Sequence, residues 1–82
     1  MELKQLLETL EQERDELKVK IHLAKLDLQD EWEKMEKKWP EFKSKAEDIV
    51  EGTKDVADEV VDSVKVVGEE IKATYERIRQ RI

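Results

Sequence analysis

The chain has no cysteine, one proline, two glycines and four aromatic residues among 82, and none of its apolar runs approaches the ~20 residues needed to cross a bilayer. Without cysteine there are no disulfides and no thiolate metal ligands. Two glycines sixteen residues apart make no phosphate-cradling loop. Met1–Gln5 lacks a basic stretch leading into an apolar run, so no secretory leader is expected and the cytoplasm is the expected location. Acids outnumber bases 22 to 16, and the bases are interspersed with acids, so nucleic-acid binding is not expected.

What is abundant is charge, at 46% of residues against 38% apolar. That balance suits long helices with one buried stripe and a wide wet face. A single domain of this size buries little surface per residue, and no covalent link compensates. Shielding by a second copy is the expected remedy, so a homo-oligomer, most simply a dimer, is anticipated.

The apolar residues step by four and three from Leu3 through Leu7, Leu10, Leu17, Ile21, Ala24 and Leu28, with Arg14 in the one missing slot. This is a heptad seam. It slips by one residue into Trp32, Met35, Trp39 and Phe42, continues through Ala46, Ile49, Thr53, Val56 and Val60, and slips again into Val64, Val67, Ile71, Tyr75, Ile78 and Ile82. Glu16–Lys20, Asp30–Lys34, Glu33–Lys37 and Glu41–Lys45 each place an acid four residues before a base, which supports helix. Leu17–Leu23 alternates with period two like a strand, but the helical seam runs through it.

Pro40 is the strongest break, because proline lacks an N–H, clashes with the preceding turn, and pushes Trp39 away from helical geometry. The expected fold is therefore all-α: a long antiparallel hairpin of helices over about 2–38 and 41–81, dimerising into a four-helix bundle. The alternative is one Pro-kinked helix in a coiled-coil dimer, and Gly52 is the second candidate break. In a hairpin centred near 40, Lys18, Lys20 and Lys25 would face Asp55, Asp58, Glu59 and Asp62. Gly68 costs about 1 kcal/mol relative to Ala, a tolerable amount.

Val19, Leu23 and Leu26 form a second stripe on the side away from Ile21 and Ala24, and a helix apolar on two sides needs two partners. The expected oligomer interface thus contains Leu10, Leu17, Val19, Ile21, Leu23, Leu26, Leu28, Val60, Val64 and Ile71. Trp32, Met35, Trp39 and Phe42 are expected as an aromatic plug at the hairpin tip, since no cation or polar group converges on them as a ligand cage requires. His22 has no accompanying nucleophile motif, and Val19 stands where a di-iron Glu-x-x-His motif needs its Glu. Asp27, Asp30 and Glu31 share one helical turn and could hold a hard cation, but a wet face answered by Lys34 is the commoner arrangement. Lys72, Arg77, Arg79 and Arg81 suit a helix C-terminus, and the acids at 55–70 argue against an anionic-membrane contact, so no membrane partner is expected; beyond a second copy, the other partner anticipated is another helical protein. No catalytic, cofactor or metal residue is assigned.

Two stretches, His22-Leu23-Ala24-Lys25 running into Asp30-Glu31-Trp32-Glu33-Lys34-Met35-Glu36-Lys37-Lys38-Trp39, and Gly68–Lys72 followed by Tyr75–Ile78, resemble a group of small bacterial coiled-coil proteins with no assigned activity. The resemblance implies a helical fold and assigns no functional residue. The second half is also loosely similar to late-embryogenesis-abundant repeats. The expected function is non-enzymatic, acting through helix–helix association. A stress-associated amphipathic protein that binds lipid or protects other proteins is the alternative.

Overall fold

A computed structural model describes residues 2–52 and 56–82, and within them the chain is helical with no strand. Three helices run up, down and up: α1 (Leu3–Lys20), α2 (Leu26–Glu51) and α3 (Asp58–Arg81). They pack into a bundle of 42 × 19 × 17 Å. Its length is that of α2, whose 26 residues span about 39 Å at 1.5 Å each. The two-helix hairpin expected from Pro40 is therefore corrected to three helices, with breaks at 21–25 and after Gly52.

The seam makes the core of one chain. Leu6, Leu10 and Leu17 from α1, Leu28, Phe42 and Ala46 from α2, and Ile71, Tyr75 and Ile78 from α3 are almost wholly buried. On α1 the slot expected for Arg14 is taken by Glu13, and Arg14 stands at the edge of the core. On α3 the buried stripe is Val64, Gly68, Ile71, Tyr75 and Ile78, with Val67 only partly covered.

The first corner needs neither glycine nor proline. The end of α1 tightens into a 3-10 turn, Ile21–Leu23, after which Ala24 and Lys25 are extended and Lys25 caps α2. The Ala24 N–H donates to the Ile21 carbonyl, and the side-chain amide of Gln29 donates to the Ala24 carbonyl at 2.9 Å. These bonds occupy carbonyls that a helix end otherwise leaves without partners. Ile21 and Ala24 still pack on the core, so the corner keeps the seam's inward residues inward.

Helix α2 continues through Pro40. Trp39 and Phe42 on either side are buried, whereas Pro40 is exposed. Core packing of the two aromatics outweighs the roughly 3 kcal/mol that proline costs, and its missing donor lies on the wet face. The helix ends at Gly52, whose φ of 67° is left-handed and whose N–H reaches the Asp48 and Ile49 carbonyls. This is the glycine-terminated helix end that L-residues adopt only with strain. At the start of α3, Asp58 and Glu59 face the positive end of the helix dipole, and Arg79 and Arg81 lie at its negative end.

Candidate interaction surface

The aromatic residues expected at a hairpin tip lie instead along the middle of α2. Trp32 packs against Tyr75 of α3 at 5.5 Å between ring centroids, and Trp39 against Phe42 at 5.7 Å. Met35 is half-buried beside the same core. Arg14 donates from Nε and Nη2 to the two carboxylate oxygens of Glu36, at 2.9 and 2.8 Å, and lies 5.6 Å over the Trp39 ring. This fork holds the Arg14 proton more firmly than usual, the hydrogen bond to Glu36 being the main cause.

Beside it lies a second polar group. Glu13 is buried, with Oε1 3.7 Å from Arg79 and Oε2 without a hydrogen bond. Burial pushes its carboxyl above the ordinary value; Arg79 opposes the shift and Glu76 adds to it. The Tyr75 hydroxyl is likewise buried without a hydrogen bond, and burial, then the Glu36 charge, raise its pKa. Among the described residues no group of three His, Cys, Asp or Glu is arranged to hold a metal ion. Of the three acids weighed as cation ligands, two are answered by α3, Asp27 by Arg81 at 3.1 Å and Glu31 by Arg77 at 2.9 Å, while Asp30 is exposed.

The residues expected at an interface between copies divide into two sets. Leu10, Leu17, Leu28, Val64 and Ile71 are buried within one chain, and Ile21 is half-buried. Val19, Leu23 and Leu26 remain 69, 75 and 77% exposed. All three sit within eight residues at the α1–α2 corner, where the core-facing side is already taken by Leu17, Ile21, Ala24 and Leu28. Val60, 46% exposed, belongs elsewhere: with Phe42, Val64 and Val67 it lines a groove of about 480 Å³ between α2 and α3.

The chain matches no protein-family model, no curated protein and no solved structure.

The chemistry of the corner is set by an arrangement of charge that the hairpin geometry concealed. The α1 C-terminus lies beside the α3 C-terminus, as the Arg79–Glu16 contact at 3.3 Å shows. Lys18 and Lys20 therefore stand at the opposite end of the bundle from Asp58, Glu59 and Asp62, and the pairing expected between those groups is not made. Asp55 lies outside the described residues. Of the four acid–base pairs expected within helices, Glu41–Lys45 forms, at 2.9 Å. Lys18, Lys20 and Lys25 have no ion pair or hydrogen bond to any described side chain. His22 is exposed between them. The exposed apolar residues could be singled out from the sequence, since the second stripe marks them. The free lysines could not, because it is the α3 arginines, some fifty residues away, that pair with Glu16, Asp27 and Glu31.

Proposed function

We propose that this chain is a non-enzymatic helical interaction protein, a three-helix scaffold that docks through the apolar corner Val19–Leu23–Leu26. The supporting observation is the exposure of three large aliphatic side chains, 69–77% each, within eight residues at one corner, more exposed than any other large apolar side chain among the described residues. Scattered single apolar residues on a surface are ordinary, whereas three so exposed within eight residues of one corner call for a partner. Burying these three side chains stabilises a contact by roughly 3–6 kcal/mol before the costs of association.

The association anticipated from the seam thus moves to the corner. Most of the seam is buried within one chain, and the corner alone is small for a second copy. At about 60–120 Å² per fully exposed Val or Leu side chain, three of them present roughly 200–300 Å². Two copies facing each other, even with their polar rims, stay below the ~1,200 Å² of the smallest stable specific interfaces.

The test is chromatographic retention on a phenyl matrix, with thermal melting as a check on the fold. The Leu23→Ser/Leu26→Ser variant is expected to elute earlier than the wild type and to melt at the same temperature within about 2 °C, while Val66→Ser on α3 leaves retention nearly unchanged. Unchanged retention of the corner variant, or a collapse in its melting temperature, would remove the proposal.

A further inference from the structure

Building on the docking role of the corner, we infer that its partner is an anionic lipid surface, with Val19, Leu23 and Leu26 entering the acyl boundary and Lys18, Lys20 and Lys25 meeting the headgroups. The inference rests on the distribution of charge at this end of the bundle. The chain carries a net charge of −6, yet the acids nearest the corner on its inner side are spoken for: Asp27 by Arg81, Glu31 by Arg77 and Glu16 by Arg79. The three lysines are left as unpaired cations around the apolar residues. On α1, Lys18 and Lys20 flank Val19 at about 100° to either side, and Lys25 directly precedes Leu26.

Shape and size agree with that partner. The corner lies at one end of a 42 Å rod only 19 × 17 Å across, where its three apolar side chains are 69–77% exposed. The patch is too small for a stable pair of copies, but a bilayer sets no such threshold: a shallow apolar insertion combined with a basic ring is the two-signal anchor of peripheral proteins. Depth is limited by Asp15 and Asp30, exposed one turn behind Val19 and Leu26. The acids Asp58, Glu59 and Asp62 at the far end are held away from the lipid, so the net negative charge orients the molecule corner-first.

The experiment is co-sedimentation of the full chain with phosphatidylcholine vesicles, with and without phosphatidylserine, at low and high salt, with solution mass measured by light scattering. Binding is expected to the phosphatidylserine vesicles only, and to fall steeply with salt. Replacing Lys18, Lys20 and Lys25 together by Gln is expected to weaken it about a hundredfold, from about fivefold per lysine. Leu23→Ser/Leu26→Ser abolishes it while the melting temperature holds. Failure of the wild type to bind, or equal binding by the glutamine variant, overturns the lipid assignment. If a dimer forms that Leu23→Ser/Leu26→Ser dissolves while vesicles stay unbound, the partner is a second copy and the lipid assignment falls, with the docking role intact. If the serine variant changes neither vesicle binding nor mass nor phenyl retention, the docking role falls too.

Discussion

Replacing Gly68 by alanine sets two known effects against each other. In a solvent-exposed helix interior the change stabilises by about 1 kcal/mol, because alanine gives up less backbone freedom on folding. Gly68, however, lies on the buried stripe of α3 where all three helices meet. A Cβ added there would stand 2.5 Å from Cδ2 of Leu6 on α1 and 3.0 Å from Cε2 and Cζ of Phe42 on α2. Ordinary carbon contacts are about 3.5–4.0 Å, so the closest approach is short by about an ångström or more. Leu6 is the flexible side of this contact, but it is 0% exposed and Phe42 2%, which leaves neither much room to withdraw. Overpacking of this kind costs about 1–3 kcal/mol. The net expectation is a loss of about 1 kcal/mol, a fall in melting temperature of roughly 4–8 °C for a domain of this size. The diagnostic comparison repeats the change in a Leu6→Val background, where both δ carbons are gone. There Gly68→Ala is expected to cost at least about 1 kcal/mol less, a coupling that a double-mutant cycle in urea resolves. A Gly68→Ala protein that melts higher than wild type, or a cycle that is simply additive, refutes the close approach of α1 and α2 to α3 at this point.

Three further outcomes follow from the packing. Pro40→Ala restores an N–H and removes a clash inside α2, so it should raise stability by roughly 1–3 kcal/mol with unchanged hydrodynamic size; a loss of stability in urea would mean that Pro40 starts a helix instead. Arg14→Lys keeps the charge but loses the fork on Glu36 and the stacking on Trp39, so it should cost about 1–2 kcal/mol; equal stability would show that the planar geometry contributes nothing. For Glu13 the folded state raises the pKa above the ordinary value of 4.5, so protonation favours folding. That contribution is complete below the ordinary value and is lost as pH rises through the raised one. Glu13→Gln should therefore melt above the wild type at neutral pH, with the difference shrinking toward pH 4.5; a variant less stable at neutral pH would mean that the Arg79 contact outweighs burial.

Much of the core could be named from spacing alone. Leu10, Leu17, Leu28, Phe42, Val64, Ile71, Tyr75 and Ile78 belong to the seam, and all are buried. The turns could not be placed. Local chemistry puts the break at Pro40, where proline breaks a lone helix, but with its two aromatic neighbours buried in the core α2 continues through it. Local chemistry also passes over 21–25, because the bonds that close that corner come from Gln29 and from a tightened last turn rather than from a turn-forming residue. Gly52 was legible as a break, though subordinate to Pro40. Gly68 gave no sign of its role, since a close approach by Leu6 and Phe42 is a fact of the assembled bundle.

The corner also explains why two apolar stripes occur together between Leu17 and Leu28. In one straight helix, Ile21 and Ala24 would face one partner while Val19, Leu23 and Leu26 faced another. Folding the chain at 21–25 lets the first set pack against the core of the bundle. Nothing inside the bundle can then reach the second set, because those side chains point away from the axis on which the three helices converge. Their apolar character contributes little to folding, and the lysines beside them offset no acid in the fold. A segment that is both greasy and basic without serving its own core is best accounted for by a surface outside the molecule that is apolar below and negative above, which is the profile of an anionic bilayer.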